Sequence, residues 1–113
     1  MPKPDSQITK NWEELTTVTF SGTSSSIMEI GGDRPIKGLL TNLSTSGAMT
    51  FLGYNEAGTA FKVLGSDGAE LSITTTALTE NYRFYPEFGP LRRIKVINAT
   101  SQVNATVTPV VCS

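Results

Sequence analysis

The chain has 113 residues, a net charge of −1 and no histidine; 38% of it is hydrophobic and 17% charged. That length holds one domain. The near-neutral balance supplies no basic field for a nucleic-acid backbone, so no direct nucleic-acid partner is expected. The missing histidine removes the commonest general base and metal ligand, and every Ser-His or Cys-His nucleophile pair.

The charged fraction lies below the roughly 25% of an average soluble domain. Thr, Ser, Gly and Asn make up much of the remainder, which favours strands and turns over long helices. The single cysteine, Cys112, permits no internal disulfide and no structural zinc site.

Residues Met1 to Glu14 are polar, carry Pro2 and Pro4, and show no regular period. They read as an extended N-terminal arm, with the folded domain spanning 15–113. The arm has no apolar signal-peptide core, and no later stretch is apolar for long enough to span a bilayer. The expectation is a soluble product made in the cytoplasm, with no membrane partner. Trp12 stands in the arm among charged and amide neighbours. It either plugs the domain's own core, the reading slightly favoured, or reaches a partner surface, where Trp is enriched.

Short β-type runs follow. Leu15 to Phe20 ends at a Ser21-Gly22-Thr23-Ser24 break, and Ser26 to Ile30 ends at Gly31-Gly32-Asp33-Arg34-Pro35. Ile36 to Leu43 leads to Ala48–Tyr54, which places Met49 and Phe51 on one face. Thr59–Leu64 and Ala69–Thr74 flank Asp67-Gly68, a strong hairpin signal because Gly supplies the positive φ. Asn81–Tyr85 is aromatic-rich and stops at Pro86. Leu91–Asn98 sets Ile94 and Val96 against Arg93 and Lys95. Asn104–Cys112 closes the chain with Ala105, Val107, Pro109 and Val111 on one face, and Pro109, lacking an N–H, predicts an edge or a bulge. Roughly eight or nine such strands predict an all-β fold: an antiparallel β-sandwich, jelly-roll-like, with the arm attached.

Chemistry is sparse. Gly31-Gly32-Asp33-Arg34 is not followed by a helix and matches neither phosphate-loop pattern, so no cofactor is expected. The carboxylates are scattered, with no pair marked out for acid–base work. No catalytic residue is assigned, and the chain reads as a binding or structural protein and not an enzyme. Leu91-Arg92-Arg93-Ile94-Lys95 is the densest basic run. It is either a solvated sheet face that discourages edge pairing or a docking strip for an acidic partner. Trp12, Arg92, Arg93 and Lys95 are the candidate partner-binding residues.

Met49-Thr50-Phe51, the run Asn55 to Leu64, Asp67-Gly68-Ala69-Glu70-Leu71, the run Phe88 to Asn98 and Ala105-Thr106-Val107 together resemble a layout of small tailed-bacteriophage virion proteins of the capsid decoration (cement) or head-fibre type. The resemblance covers Ile36 to Val111. It implies a virion component on the capsid exterior that binds the major capsid protein, associates with itself as a dimer or trimer, and has no active site. The alternative is a carbohydrate- or receptor-binding module of a phage fibre or adaptor, with an aromatic platform among Tyr54, Tyr82, Tyr85 and Phe88.

Overall fold

The computed structural model of the chain describes residues 12–29, 36–88 and 91–112. Among them the strands are β1 (Trp12–Glu14), β2 (Val18–Ser24), β3 (Met28–Glu29), β4 (Ile36–Asn42), β5 (Gly47–Tyr54), β6 (Ala60–Lys62), β7 (Ile73–Thr75), β8 (Asn81–Phe84) and β9 (Arg93–Cys112), with a single 3-10 turn at Pro86–Phe88. The fold is all-β, and every pairing between these strands is antiparallel. Its two layers are the two halves of one curled sheet.

The curl follows from β9. A straight strand of 20 residues would run on the order of 60 Å, yet the longest dimension of the molecule is 47 Å. β9 therefore bends. Its first half lies between β5 and β3, and its second half between β4 and β1, with β2 spanning the bend. Phe20 faces Ala105 but Gly22 faces Gln102, three steps along β9 for two along β2, and a second irregularity separates that pair from Ser24–Ile97. Each extra β9 residue is a bulge, which bends a strand and raises its twist. Gly22 and Asn104 sit at this bend with φ of 93° and 52°. The phase of the side chains shifts with the bulge. Ile94 and Val96 enter the core from the first half, Ala105 and Val107 from the second. One strand thus feeds the same core on both sides of its bend.

A buried amide fixes the bend. Gln102 is 1% exposed. Its Oε1 accepts from Ser44 N at 2.9 Å, Thr45 N at 3.1 Å and Ser44 Oγ at 3.2 Å, and its Nε2 donates to Thr45 O at 2.9 Å and Thr100 O at 3.0 Å. The backbone donors of the bulge itself go to serine hydroxyls. Val103 N donates to Ser44 Oγ at 2.7 Å and Asn104 N to Ser21 Oγ at 3.0 Å. Side chains thus replace the ladder bonds that the bulge interrupts.

Several sequence expectations change here. Leu91–Asn98 and Asn104–Cys112 are one strand and not two, because the bulge absorbs the Ser/Asn-rich interval that reads as a turn. The Ser21-Gly22-Thr23-Ser24 break is likewise the bulged end of β2. Pro109 is buried inside the sheet and not at its edge, paired with Leu39 of β4. Its carbonyl accepts from Leu15 N at 2.8 Å. In a strand a residue's nitrogen and carbonyl point the same way, so the missing N–H faces the gap between β1 and β2, where no ladder bond is lost. Ala69–Thr74 contributes only a Leu64–Glu70 bridge and the start of β7. The Asp67-Gly68 hairpin is present: Gly68 has φ of 84°, and Gly65 N donates to Ala69 O at 2.7 Å. Of the arm, Trp12–Glu14 forms β1 against the end of β9, and the arm residues before Trp12 lie outside the described residues, as does Gly31-Gly32-Asp33-Arg34.

The core is built around three aromatic rings. Tyr85 and Phe88 stack at 4.6 Å, and Phe51 meets them edge-on at 5.0 and 5.2 Å. Pro86 ends β8 and starts the 3-10 turn that folds Tyr85 and Phe88 inward, together with Leu39, Leu43 and Met49. This corrects the aromatic platform of the alternative reading, since two of its four members are core residues at 2% and 0% exposure. Burial pushes the Tyr85 hydroxyl up from 10.0 to about 12, with Arg83 opposing the shift and Glu87 adding to it. A raised folded-state value favours the fold fully below pH 10 and is lost as pH rises through about 12. Wild-type protein should therefore lose about 2–3 kcal/mol across that interval that Tyr85→Phe does not lose. Urea unfolding of both proteins at each pH checks it, and parallel curves would refute it.

Candidate partner-binding surfaces

Three surfaces stand out, and the sequence-predicted residues divide between two of them. Arg93 and Lys95 alternate with buried Ile94 and Val96 along β9, so both point outward, as expected. Lys95 faces Leu52 of β5, which faces Lys62 of β6, so one outer row reads Lys95, Leu52, Lys62. Arg93 faces Glu29 of β3. Among the described residues, none of Arg92, Arg93, Lys95 and Lys62 lies within ion-pair distance of a carboxylate. At the end of this row a hollow of about 290 Å³ is lined by Tyr54, Asn55, Glu56, Phe61, Leu91, Arg92 and Arg93. The Phe61 ring lies over Gly53, where a Cβ would stand 2.7 Å from it. Beside the cationic strip, this hollow brings Arg92 and Arg93 together with the Tyr54 and Phe61 rings and the Glu56 carboxylate.

Lys62 escapes the sequence reading because it joins the strip only through the β5–β6 register, which sets Phe61 over Gly53 on the other face. The turn sets that register. Asn55 Oδ1 accepts from Thr59 N at 2.9 Å, and Gly58 takes φ of 85°, which brings Tyr54 opposite Ala60. The signal available was the Asn55–Gly58 turn itself, read as a two-strand pairing.

Trp12 lies elsewhere. β1 pairs with the far end of β9, at Cys112, so the two ends of the longest strand separate Trp12 from Arg93. Trp12 is not part of the core, contrary to the reading slightly favoured from sequence. It is half-buried on the sheet's outer face, 4.9 Å from the Tyr82 ring, and its indole N–H donates to Glu14 at 3.1 Å. Tyr82 reaches it across Gly38. A Cβ on Gly38 would stand 2.7 Å from the Tyr82 hydroxyl and 2.6 Å from Arg83 O. Phe84 shares the outward face with Tyr82, at 45% and 41% exposure.

A third surface is acidic. Glu13, Glu14 and Glu29 surround a shallow hollow of about 680 Å³ with Leu15, Val18 and Ile27 along the β1–β2–β3 edge. The near-zero net charge thus conceals two segregated fields, which meet where Glu29 faces Arg93. Among the described residues no three His, Cys, Asp or Glu side chains converge, and no helix is long and apolar enough to cross a membrane. These surfaces are equipped to bind through charge, ring faces and apolar contact.

The fold has solved counterparts. The chain is similar to the SPBc2 prophage-derived protein YomS, with a TM-score of 0.57 and 18% identity over 90% of this chain and 95% of that one. A chain from the disulfide-linked pili that form Bacillus endospore appendages aligns with a TM-score of 0.45 and 11% identity over 90% of this chain and 86% of that one. No family model matches the chain, and no curated protein matches it in sequence. The YomS likeness establishes a shared all-β fold.

Gly38 carries the test of the outer face. Gly38→Ala should lower stability by about 1–3 kcal/mol, since backbone and ring must both give way. It should also shift the emission of Trp12, the only tryptophan, to longer wavelength as its contact with Tyr82 loosens. Unfolding and fluorescence of the variant matching those of wild type would refute this account.

Proposed function

We propose that this chain is a structural virion protein of a tailed phage that binds the outside of the capsid and stabilises it, as a decoration or cement protein acting through self-associated copies. The observation that carries the reading is the cationic strip of Arg93, Lys95 and Lys62, which has no carboxylate within ion-pair distance among the described residues. It lies on the outer face of β9 and β5, each paired on both sides, and of the edge strand β6. Such a surface is complementary in charge to an acidic partner. The fold shared with a prophage-derived protein supports the same assignment. Binding that favours the assembled shell over dissociated subunits stabilises assembly by mass action, with no chemistry required. The partner is then an acidic face of the major capsid protein, and the location is the virion exterior.

A second reading has one observation in its favour. The hollow lined by Tyr54, Glu56, Phe61, Arg92 and Arg93 combines ring faces with two cations and one carboxylate, a set that suits a sugar on a receptor. The platform of four aromatics is not part of this reading, because Tyr85 and Phe88 are buried.

Co-sedimentation of the purified chain with emptied phage heads tests the first reading. Retention should fall as salt rises, and Arg93→Glu with Lys95→Glu should reduce it roughly 10-fold or more, as like charges meet across the interface. Equal retention of wild type and the double variant would reject the cationic strip as the docking face. Binding to a glycan in place of heads would favour the second reading.

A further inference from the structure

One pole of the molecule breaks local rules in a consistent way. Leu78 has φ of 60°, in the left-handed region that a leucine rarely enters, and is 80% exposed. Beside it Val103 is 69% exposed, and the next residue, Asn104, has φ of 52°. A strained backbone that sends a leucine into solvent is not explained by the core. The observed outlier is a starting point for a functional hypothesis.

The pole is also rigid. Leu78 N donates to Leu43 O at 2.8 Å, and Ala77 N donates to Ser46 Oγ at 2.8 Å. Val103 N is held by Ser44 Oγ, which in turn donates to the buried Gln102 amide. Both apolar tips are thus pinned to one segment between β4 and β5. Between them lies a hollow of about 190 Å³, floored by Leu43 and rimmed by Asn42, Asn104 and Thr106. Removing a leucine side chain from a core opens on the order of 150 Å³, so a hollow of this size admits one.

We propose that this pole is a two-fold self-association site, in which Leu78 of each copy enters the hollow between Leu78 and Val103 of the other. Knob and hollow lie on the same patch, which is the requirement for an isologous contact. Charge selects this pole over the cationic strip and the acidic edge. A two-fold axis sets a surface against itself, so the cationic strip would meet cations and the acidic edge would meet carboxylates. Among the described residues no charged side chain lines the hollow, and an apolar centre with an uncharged polar rim suits an interface. The contact is small, so the dimer is a reversible one. Arg93 and Lys95 do not line the pole and remain available in both copies. The inference rests on the self-association in the reading above and names its surface.

Sedimentation velocity of the full chain over a concentration series tests it, with Leu78→Gly as the deciding variant. Glycine adopts the same φ without strain, so the variant should unfold no earlier than wild type. Two docked leucines are lost per dimer, and the dissociation constant should rise roughly 100-fold. Val103→Ser should shift it in the same direction, and Arg93→Glu with Lys95→Glu should leave it unchanged. A wild-type chain that stays monomeric at every concentration would overturn the proposal, as would a trimer or a dimer that Leu78→Gly leaves intact. Head binding without such a dimer would overturn this inference alone. A Leu78-dependent dimer that ignores heads would overturn only the capsid reading.

Discussion

The Gln102 side chain makes five hydrogen bonds that hold the bend of β9. It is buried, and both of its ends are engaged by the 44–45 segment and by Thr100. A buried amide is favourable only when its partners are present, and each missing partner costs about 1–3 kcal/mol. The geometry that satisfies Gln102 is the bent one. A straight β9 would carry Gln102 away from Ser44 and Thr45 and leave two backbone N–H groups and a carbonyl without it. The amide thereby selects the curl, and the curl brings Phe20, Leu39, Phe51 and Val107 into one core.

This dependence explains what the sequence conveys and what it withholds. Alternation within a strand depends only on period, so Met49 and Phe51 inward, or Arg93 and Lys95 outward, are legible one residue at a time. The Asp67-Gly68 hairpin is legible because its chemistry is local. The continuity of β9 is not. The Ala99 to Val103 interval is polar, and polar intervals ordinarily mean loops. Here its hydrogen-bond partners come from Ser44 and Ser21, distant in sequence. Pro109 misleads for a related reason. The rule against proline in a sheet concerns a lost donor, and here the donor would have faced a gap between two strands.

The candidate surfaces divide along the same line. Arg93 and Lys95 of the cationic strip follow from β9 alone, and Lys62 needs the register that the Asn55–Gly58 turn imposes. Trp12 and Tyr82 meet over a glycine four strands' width of chain pairing from β1 to β8. Neither residue's local sequence reports that contact. Tyr85 and Phe88 look like surface aromatics in a polar context, but the turn begun by Pro86 carries them into the core.

Positions with positive φ sharpen the contrast. Gly22, Gly58 and Gly68 occupy such positions at no steric cost, and Asn104 tolerates one because its short polar side chain suits the left-handed region. Leu78 has neither excuse. Its backbone bond to Leu43 accounts for the turn but not for the choice of side chain, because glycine would make the same bond. A sequence that follows its local rules at four such positions and departs from them at a fifth places the departure where something other than folding sets the residue. That the side chain is apolar, exposed and beside a matching hollow makes contact with another surface the physical role open to it.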